Sequence, residues 1–418
     1  NYAKAYAALA VTIGLQVNGQ YGSYTAKEAY DLSLPYANKA IELAPDLPDA
    51  VLAKAYAEWG FVDIEETVAG LERVLQLNPN DAYALNLLGN IHTDDLSEFE
   101  KGHDYTLQAL RLNPLSIPAL GNTARFYFSM GEYDKALPMI EKMKTLSMPF
   151  HGLLMAWMQE AQGKHDEALH TSLKTMEYAP NFGRIRNIIV GALFNMDLLD
   201  EAKALLPDHQ MGWYNYVVGN YEENVKAAYE RYLTDPENEQ YQRNYYGSKA
   251  STGDYKDLYN LLEKSFSDYN GLIAINAFSP GDLNDLLHYR LMENENADLS
   301  DVFVSMRAYL KKLETLNLRP HEQLGIKRHM AYYSGDYDTA MTLLRRQIFE
   351  NGYQFDPQNG YLAKLQDHPL YEETLKMQAD KNAMWRANFL TVVCGDNPYK
   401  AFWSPLPSTC EKFLSEGD

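Results

Sequence analysis

Five prolines constrain this chain more than any other feature. Pro45, Pro79, Pro114, Pro149 and Pro180 stand 34, 35, 35 and 31 residues apart. Three of them close the same amphipathic phrase: Ala40-Ile-Glu-Leu-Ala-Pro45, Val74-Leu-Gln-Leu-Asn-Pro79 and Ala109-Leu-Arg-Leu-Asn-Pro114. Proline lacks the amide that a helix interior requires, so each ends one helix and sets up the next. A second phrase recurs between them: Gly131-Glu-Tyr-Asp-Lys-Ala136, Gly163-Lys-His-Asp-Glu-Ala168, Gly219-Asn-Tyr-Glu-Glu-Asn224, Gly253-Asp-Tyr-Lys-Asp-Leu258 and Gly335-Asp-Tyr-Asp-Thr-Ala340. Glycine ends a helix in a left-handed conformation, an Asp or Asn caps the next, and a small residue lets two helices touch. The aromatic plugs the gap under the turn. Met196-Asp-Leu-Leu-Asp-Glu-Ala202 is a worn copy without the glycine. The two phrases interlock: Ala136 precedes Pro149 by 13 residues, Ala168 precedes Pro180 by 12, and Asn224 precedes Pro236 by 12.

This period and phrase resemble the tetratricopeptide (TPR) repeat, a helix–turn–helix unit of 34 residues. The resemblance covers most of residues 1–350 and is clearest at Asp46–Ala179, 237–265 and 321–349. It implies an all-α, right-handed superhelical solenoid of about nine or ten helix pairs with a C-terminal capping tail. Three regions are expected: an N-terminal array over 1–266, regular at 46–180; degenerate pairs over 267–350; and a capping helix with an irregular tail over 351–418. An extra loop, Asn18–Ser23, interrupts the first repeat, and 195–236 uses shortened units. In 267–318 the repeat is poor, yet Leu286, Leu287, Leu291, Val302, Met306, Leu310 and Leu313 keep helical spacing.

With 418 residues, one compact core is not expected, which suits a repeat array with a distributed core. The net charge of −20 disfavours phosphate backbones and anionic lipid, so neither nucleic-acid nor direct membrane binding is expected of this segment. No run of apolar residues is long enough to span a bilayer, and Asn1–Ala10 lacks the character of a signal peptide. That opening reads as the middle of a helical repeat, so the chain is expected to come from something longer. Cys394 and Cys410 flank Gly395-Asp396-Asn397-Pro398 and Pro405-Leu406-Pro407, loop chemistry able to bend the chain back. A disulfide there implies an oxidising compartment; two unpaired thiols in a cytosolic protein are the alternative.

Signatures of catalysis are absent: no phosphate-binding glycine loop, nucleophile elbow or His-Glu-x-x-His. We expect no enzyme, no cofactor and no metal site. His165 and His170, five apart across a turn, suit solvated surface better than a metal. Asp94-Asp95 with Glu98 and Glu100 lacks the alternating oxygens and glycine of a calcium loop. The remaining carboxylates read as a solvated face. Of the 32 tyrosines, Tyr133, Tyr221, Tyr255 and Tyr337 fall on the packing position of the phrase. Tyr245-Tyr246 and Tyr332-Tyr333 place adjacent rings on different helix faces.

TPR arrays bind in a concave groove lined by the first helix of each unit. Counting back from the small central residue of each unit places Asn86, Asn90, Asn122, Arg125, Trp157, Arg184, Asn187, Arg243 and Asn244 on that face. Asparagines grip an extended backbone, and arginines pair with a carboxylate. TPR domains that bind chaperone C-termini use a Lys/Asn/Asn/Lys/Arg clamp; Asn86, Asn90 and Asn122 echo part of it, but no basic pair follows, so that ligand is not assigned.

A narrower resemblance rests on Asn1-Tyr-Ala-Lys-Ala-Tyr-Ala-Ala-Leu-Ala10, the long first loop, Leu34–Pro45 and His368-Pro-Leu-Tyr371. These are similar to the C-terminal region of bacterial winged-helix regulators, CadC-type and adenylate-cyclase-like, many of which carry one transmembrane helix. The resemblance implies a periplasmic sensory domain that binds a protein or peptide in its groove, or a small-molecule signal, and sometimes dimerises. A free-standing cytoplasmic scaffold is the competing expectation.

Overall fold

The computed structural model describes residues 2–17, 24–180, 182–206, 211–268, 279–355 and 361–416; the loop Asn18–Ser23 lies outside them. Among these residues the protein is all-α. Twenty helices run in succession, α1 (Ala3–Gly14) to α20 (Tyr337–Asn351), with α1–α2, α3–α4, α5–α6, α7–α8, α13–α14, α15–α16, α17–α18 and α19–α20 packed as pairs, followed by the long α21 (Tyr371–Cys394) and α22 (Pro407–Glu416). One isolated bridge, Val17 with Tyr24, is the extent of extended pairing among the described residues.

The repeat chemistry produces the helix boundaries. Helices α2 (Ala26–Leu43), α4 (Ile64–Leu77) and α6 (Phe99–Leu112) each stop two residues before a proline. The intervening Ala44, Asn78 and Asn113 are pushed to φ −156°, −143° and −133°, because a following proline ring disfavours helical backbone. Gly131, Gly163, Gly219, Gly253 and Gly335 all have φ between 69° and 92°. Asp197, in the copy without a glycine, takes the same left-handed turn at φ 55°. Side-chain capping after that turn is rarer than expected. Asp336 accepts from the Thr339 amide, whereas Glu132 and Asn220 make no such bond. The caps fall instead on first helices: Asp81, Ser116 and Asn238 hold amides of α5 (Ala82–Asn90), α7 (Ile117–Ser129) and α15 (Glu239–Ala250).

By its internal contacts the chain forms two compact units, one of Asn1–Met158 with Lys174–Asn187, the other of Gln159–Leu173 with Ile188–Asp418. The pattern-based divisions at 266 and 350 are not where these units part. In the first unit the opening helices meet on small residues, Ala7, Ala10, Ala37, Ala40, Ala50, Ala53 and Ala57. Later pairs close on larger ones, such as Leu120, Ile140, Met143 and Leu154 around the fully buried Ala136. In the second unit Met341, Leu344, Ile348, Phe355, Leu365 and Tyr371 form a core between α20 and the C-terminal segment. Leu286, Leu287, Val302, Met306 and Leu313 are buried, so the poorly matching stretch still makes ordinary helix pairs.

The C-terminal tail does more than cover the last pair. Trp385 meets the His165 ring edge-on at 4.5 Å, and Phe389 lies 5.2 Å from His170. The Tyr399 hydroxyl donates to the His170 carbonyl at 3.1 Å and lies 3.0 Å from its Nδ1. These histidines are therefore interior contacts rather than solvated surface, and burial holds the His170 pKa below its ordinary value. His165 bonds Glu160 at 2.9 Å. Cys394 and Cys410 are bonded to each other, which pins α22 where Glu201, buried at 4% exposure, accepts from the Thr409 hydroxyl. Glu201 and the enclosed Asp285 depart from the expectation that the acidic side chains form a solvated face. Tyr361 hydrogen-bonds Asp285, whose pKa burial raises to about 7.

Candidate functional site

The first unit contains an open cavity of about 300 Å³ lined almost wholly by first helices. Tyr56 and Trp59 come from the end of α3 (Pro48–Glu58), Tyr83, Asn86 and Asn90 from α5, and Asn122 and Arg125 from α7. Phe150 and Trp157 come from α9 (Met148–Ala161), and Arg184 from the start of α11 (Gly183–Asn195). A second space of about 360 Å³ shares Tyr56, Trp59, Asn90 and Arg184 with it, extending the hollow toward Tyr30 and Phe61.

Local sequence explains the arrangement. Asp81 accepts from the Tyr83 and Ala84 amides, fixing where α5 begins. Leu88 and Ile91 are fully buried, which turns Asn86 and Asn90, one helical turn apart, to the open side. On the other side, α5 lies against α6 through glycines: a Cβ on Gly102 would sit 2.7 Å from the Gly89 carbonyl oxygen.

Adjacent repeats are laced together across the floor. The Asn122 amide donates to Asn86 Oδ1 at 3.2 Å. Arg125 Nη2 donates to Asn90 Oδ1 at 3.2 Å and to Asp94 Oδ2 at 2.7 Å. Asp94, one turn beyond Asn90, lines the cavity too; it lies in the π-helical turn Ile91–Asp95 that ends α5, where the Leu96 amide bonds the Ile91 carbonyl at 3.0 Å. Ser97 leaves that turn at φ 54°. Beneath it, buried His92 bonds Glu98 at 2.8 Å, and burial lowers the His92 pKa, so the ring is neutral near neutral pH. The stretch read as an acidic loop is thus the end of a π turn, a break over Leu96–Glu98 and the start of α6, with Asp94 and Glu98 engaged within the protein.

Six of the nine residues placed on the groove face by repeat counting, Asn86, Asn90, Asn122, Arg125, Trp157 and Arg184, line this one cavity. The other three do not. Asn187 and Asn244 are exposed elsewhere, and Asn244 accepts from Gln240 at 3.0 Å. Arg243 is largely buried and paired with Asp282 at 2.8 Å, which makes it a structural contact between neighbouring helices. Repeat counting did not single out Tyr56, Trp59, Tyr83, Asp94 or Phe150. The aromatics sit on the same helical register and were findable by it, as was Asp94, four residues beyond Asn90. The second unit holds the paired tyrosines: Tyr245 and Tyr246 pack against Tyr229 and Tyr232, and Tyr332 is buried.

Among the described residues no group of acidic, histidine or cysteine side chains is arranged to hold a metal, and no helix is long and apolar enough to cross a membrane. No protein-family model matches the sequence, and no curated protein matches it. Solved structures do resemble the chain at low identity. A TPR protein of Thermus thermophilus is 20% identical over 46% of this chain and 98% of its own, with a TM-score of 0.38. Yeast Tom70 is 14% identical over 92% of this chain and 89% of its own, at 0.38. The Cut9–Hcn1 assembly of the APC/C is 12% identical over 99% and 92%, at 0.40.

Proposed function

We propose that this chain is a non-catalytic binding domain that takes a segment of another protein into the hollow of its first unit. The observation that carries this reading is the cavity wall: five aromatic rings converge with a hydrogen-bonded row of amides on successive first helices. Aromatic anchors with adaptable polar groups are the composition of protein recognition surfaces. Selection of a random-peptide library on the purified protein tests it. Enriched peptides should lose at least tenfold in affinity for Trp157→Ala and Asn90→Ala, while Arg243→Ala binds as the parent does. Equal binding by Trp157→Ala and parent would refute this placement.

The parent protein, in this reading, is a bacterial membrane-anchored transcriptional regulator and this chain its periplasmic sensory or partner-binding region. The bonded Cys394–Cys410 pair supports an oxidising location, and the opening and His368-Pro-Leu-Tyr371 phrases support the family. Upstream coding sequence decides it: a winged helix and an apolar segment before Asn1 are expected. A start codon immediately before Asn1, or two titratable thiols in the unreduced protein, would favour the cytoplasmic scaffold instead.

A further inference from the structure

This inference rests on the proposed groove and concerns what it excludes. An arginine on the wall of a binding groove ordinarily attracts a carboxylate. Arg125 is differently placed. Its Nη2 is already held by Asp94 at 2.7 Å and by Asn90 at 3.2 Å, and the Asp94 side chain is only 15% exposed. Asp94 lies one turn beyond Asn90 in the π turn at the end of α5, below which buried His92 bonds the half-exposed Glu98. Such turns recur at functional sites. The Asn86–Asn122 pair beside it is uncharged. Arg184, at the far edge, is also engaged in a contact within the protein.

We propose that Asp94 is a specificity-determining residue: it takes the place of a ligand carboxylate on Arg125, so the groove selects an uncharged extended segment with an aromatic or large apolar side chain. An acidic ligand either displaces Asp94 or shares the Arg125 guanidinium with it; both leave two carboxylates side by side in a partly enclosed site, and like-charge juxtaposition discriminates strongly against a wrong partner. The segment's backbone groups meet the amide row, and its large side chain meets Tyr56, Trp59 and Trp157.

The test uses one peptide series, acetylated and amidated Ala-Ala-Trp-Ala-Ala, with Gln or Glu placed at each alanine in turn, titrated calorimetrically into the full chain. The parent protein is expected to bind each Gln peptide more tightly than its Glu partner. In Asp94→Asn, at one position or more, the Gln-to-Glu affinity ratio should fall by about tenfold, the size of one charge-assisted hydrogen bond. Adding Arg125→Gln to that variant should abolish the gain for the Glu peptide, which a merely structural role for Asp94 would not predict. If the parent prefers a Glu peptide, or Asp94→Asn leaves every ratio unchanged while Trp157→Ala still weakens binding, the inference fails and the groove stands. If no peptide binds either protein, or Trp157→Ala binds as well as the parent, the groove reading fails and takes the inference with it.

Discussion

Replacing Gly102 by alanine probes the geometry on which the site depends. Gly102 lies in the first turn of α6, and a Cβ there would meet Thr93 Oγ1 at 2.1 Å, the Gly89 carbonyl oxygen at 2.7 Å and the Thr93 amide nitrogen at 2.9 Å. Two of these three atoms are backbone and cannot rotate away, so α5 and its π turn have to move. Overpacking of this kind costs about 1–3 kcal/mol, with backbone clashes at the upper end. Against it, alanine gains roughly 0.8–1 kcal/mol over glycine within a helix. The clash wins, and a net loss of about 2 kcal/mol is expected, roughly thirtyfold in the local opening equilibrium. Gly247 supplies the control. It lies inside α15, where an added Cβ would have nothing within 4 Å, so Gly247→Ala should gain roughly 0.5–1 kcal/mol from propensity alone. A repeat array of this length does not unfold as one cooperative unit, so the assay is native-state hydrogen exchange read over α5–α6 and separately over α15. Slower exchange at α5–α6 in Gly102→Ala, as propensity alone would produce, would show that the close crossing of α5 and α6 is not real. Faster exchange there with weakened peptide binding would tie the glycine contact to the groove floor.

Ala136→Trp places an indole where Ala136 is fully buried among Leu120, Ile140 and Met143; a loss of about 3 kcal/mol or more in the α7–α8 region is expected, measurable as faster native-state hydrogen exchange over α7–α8. Cys410→Ser opens a loop closed across 16 residues, which costs about 3 kcal/mol by chain entropy; the matching check is faster hydrogen exchange over α21–α22 that added reductant does not raise further. Asp285 has its pKa raised to about 7 by burial, so the protonated form is the one the fold favours. The stability it confers is complete below its unfolded value and is lost as pH rises through about 7. Asp285→Asn should therefore be more stable than the parent at pH 8 and equal to it near pH 4. His170 runs the other way: with its pKa lowered by burial, docking of α21 is fully stable above its unfolded pKa and weakens as pH falls. Protection against hydrogen exchange over α21, corrected for the intrinsic pH dependence of amide exchange, should fall below about pH 6.5.

Much of this architecture was legible because its determinants are local. A proline ends a helix wherever it stands, and a glycine turn needs only its own backbone, so the boundaries at Leu43, Leu77 and Leu112 and the left-handed turns follow from residue type and spacing. That six residues line one cavity was legible for the same reason: helical periodicity carries Asn86, Asn90, Asn122, Arg125, Trp157 and Arg184 onto one face regardless of what they meet. Partners across space were not. Only the folded chain shows that Arg243 is committed to Asp282, 39 residues away, or that His165 and His170 lie under a helix more than two hundred residues downstream. The π turn is decided at the same level. Nothing in Ile91–Asp95 announces it by composition; it exists where the Gly89–Gly102 crossing and the buried His92 hold the helix end. Spacing along the chain determines which face a side chain occupies, whereas tertiary packing alone determines whether that side chain still has a charge to offer a ligand.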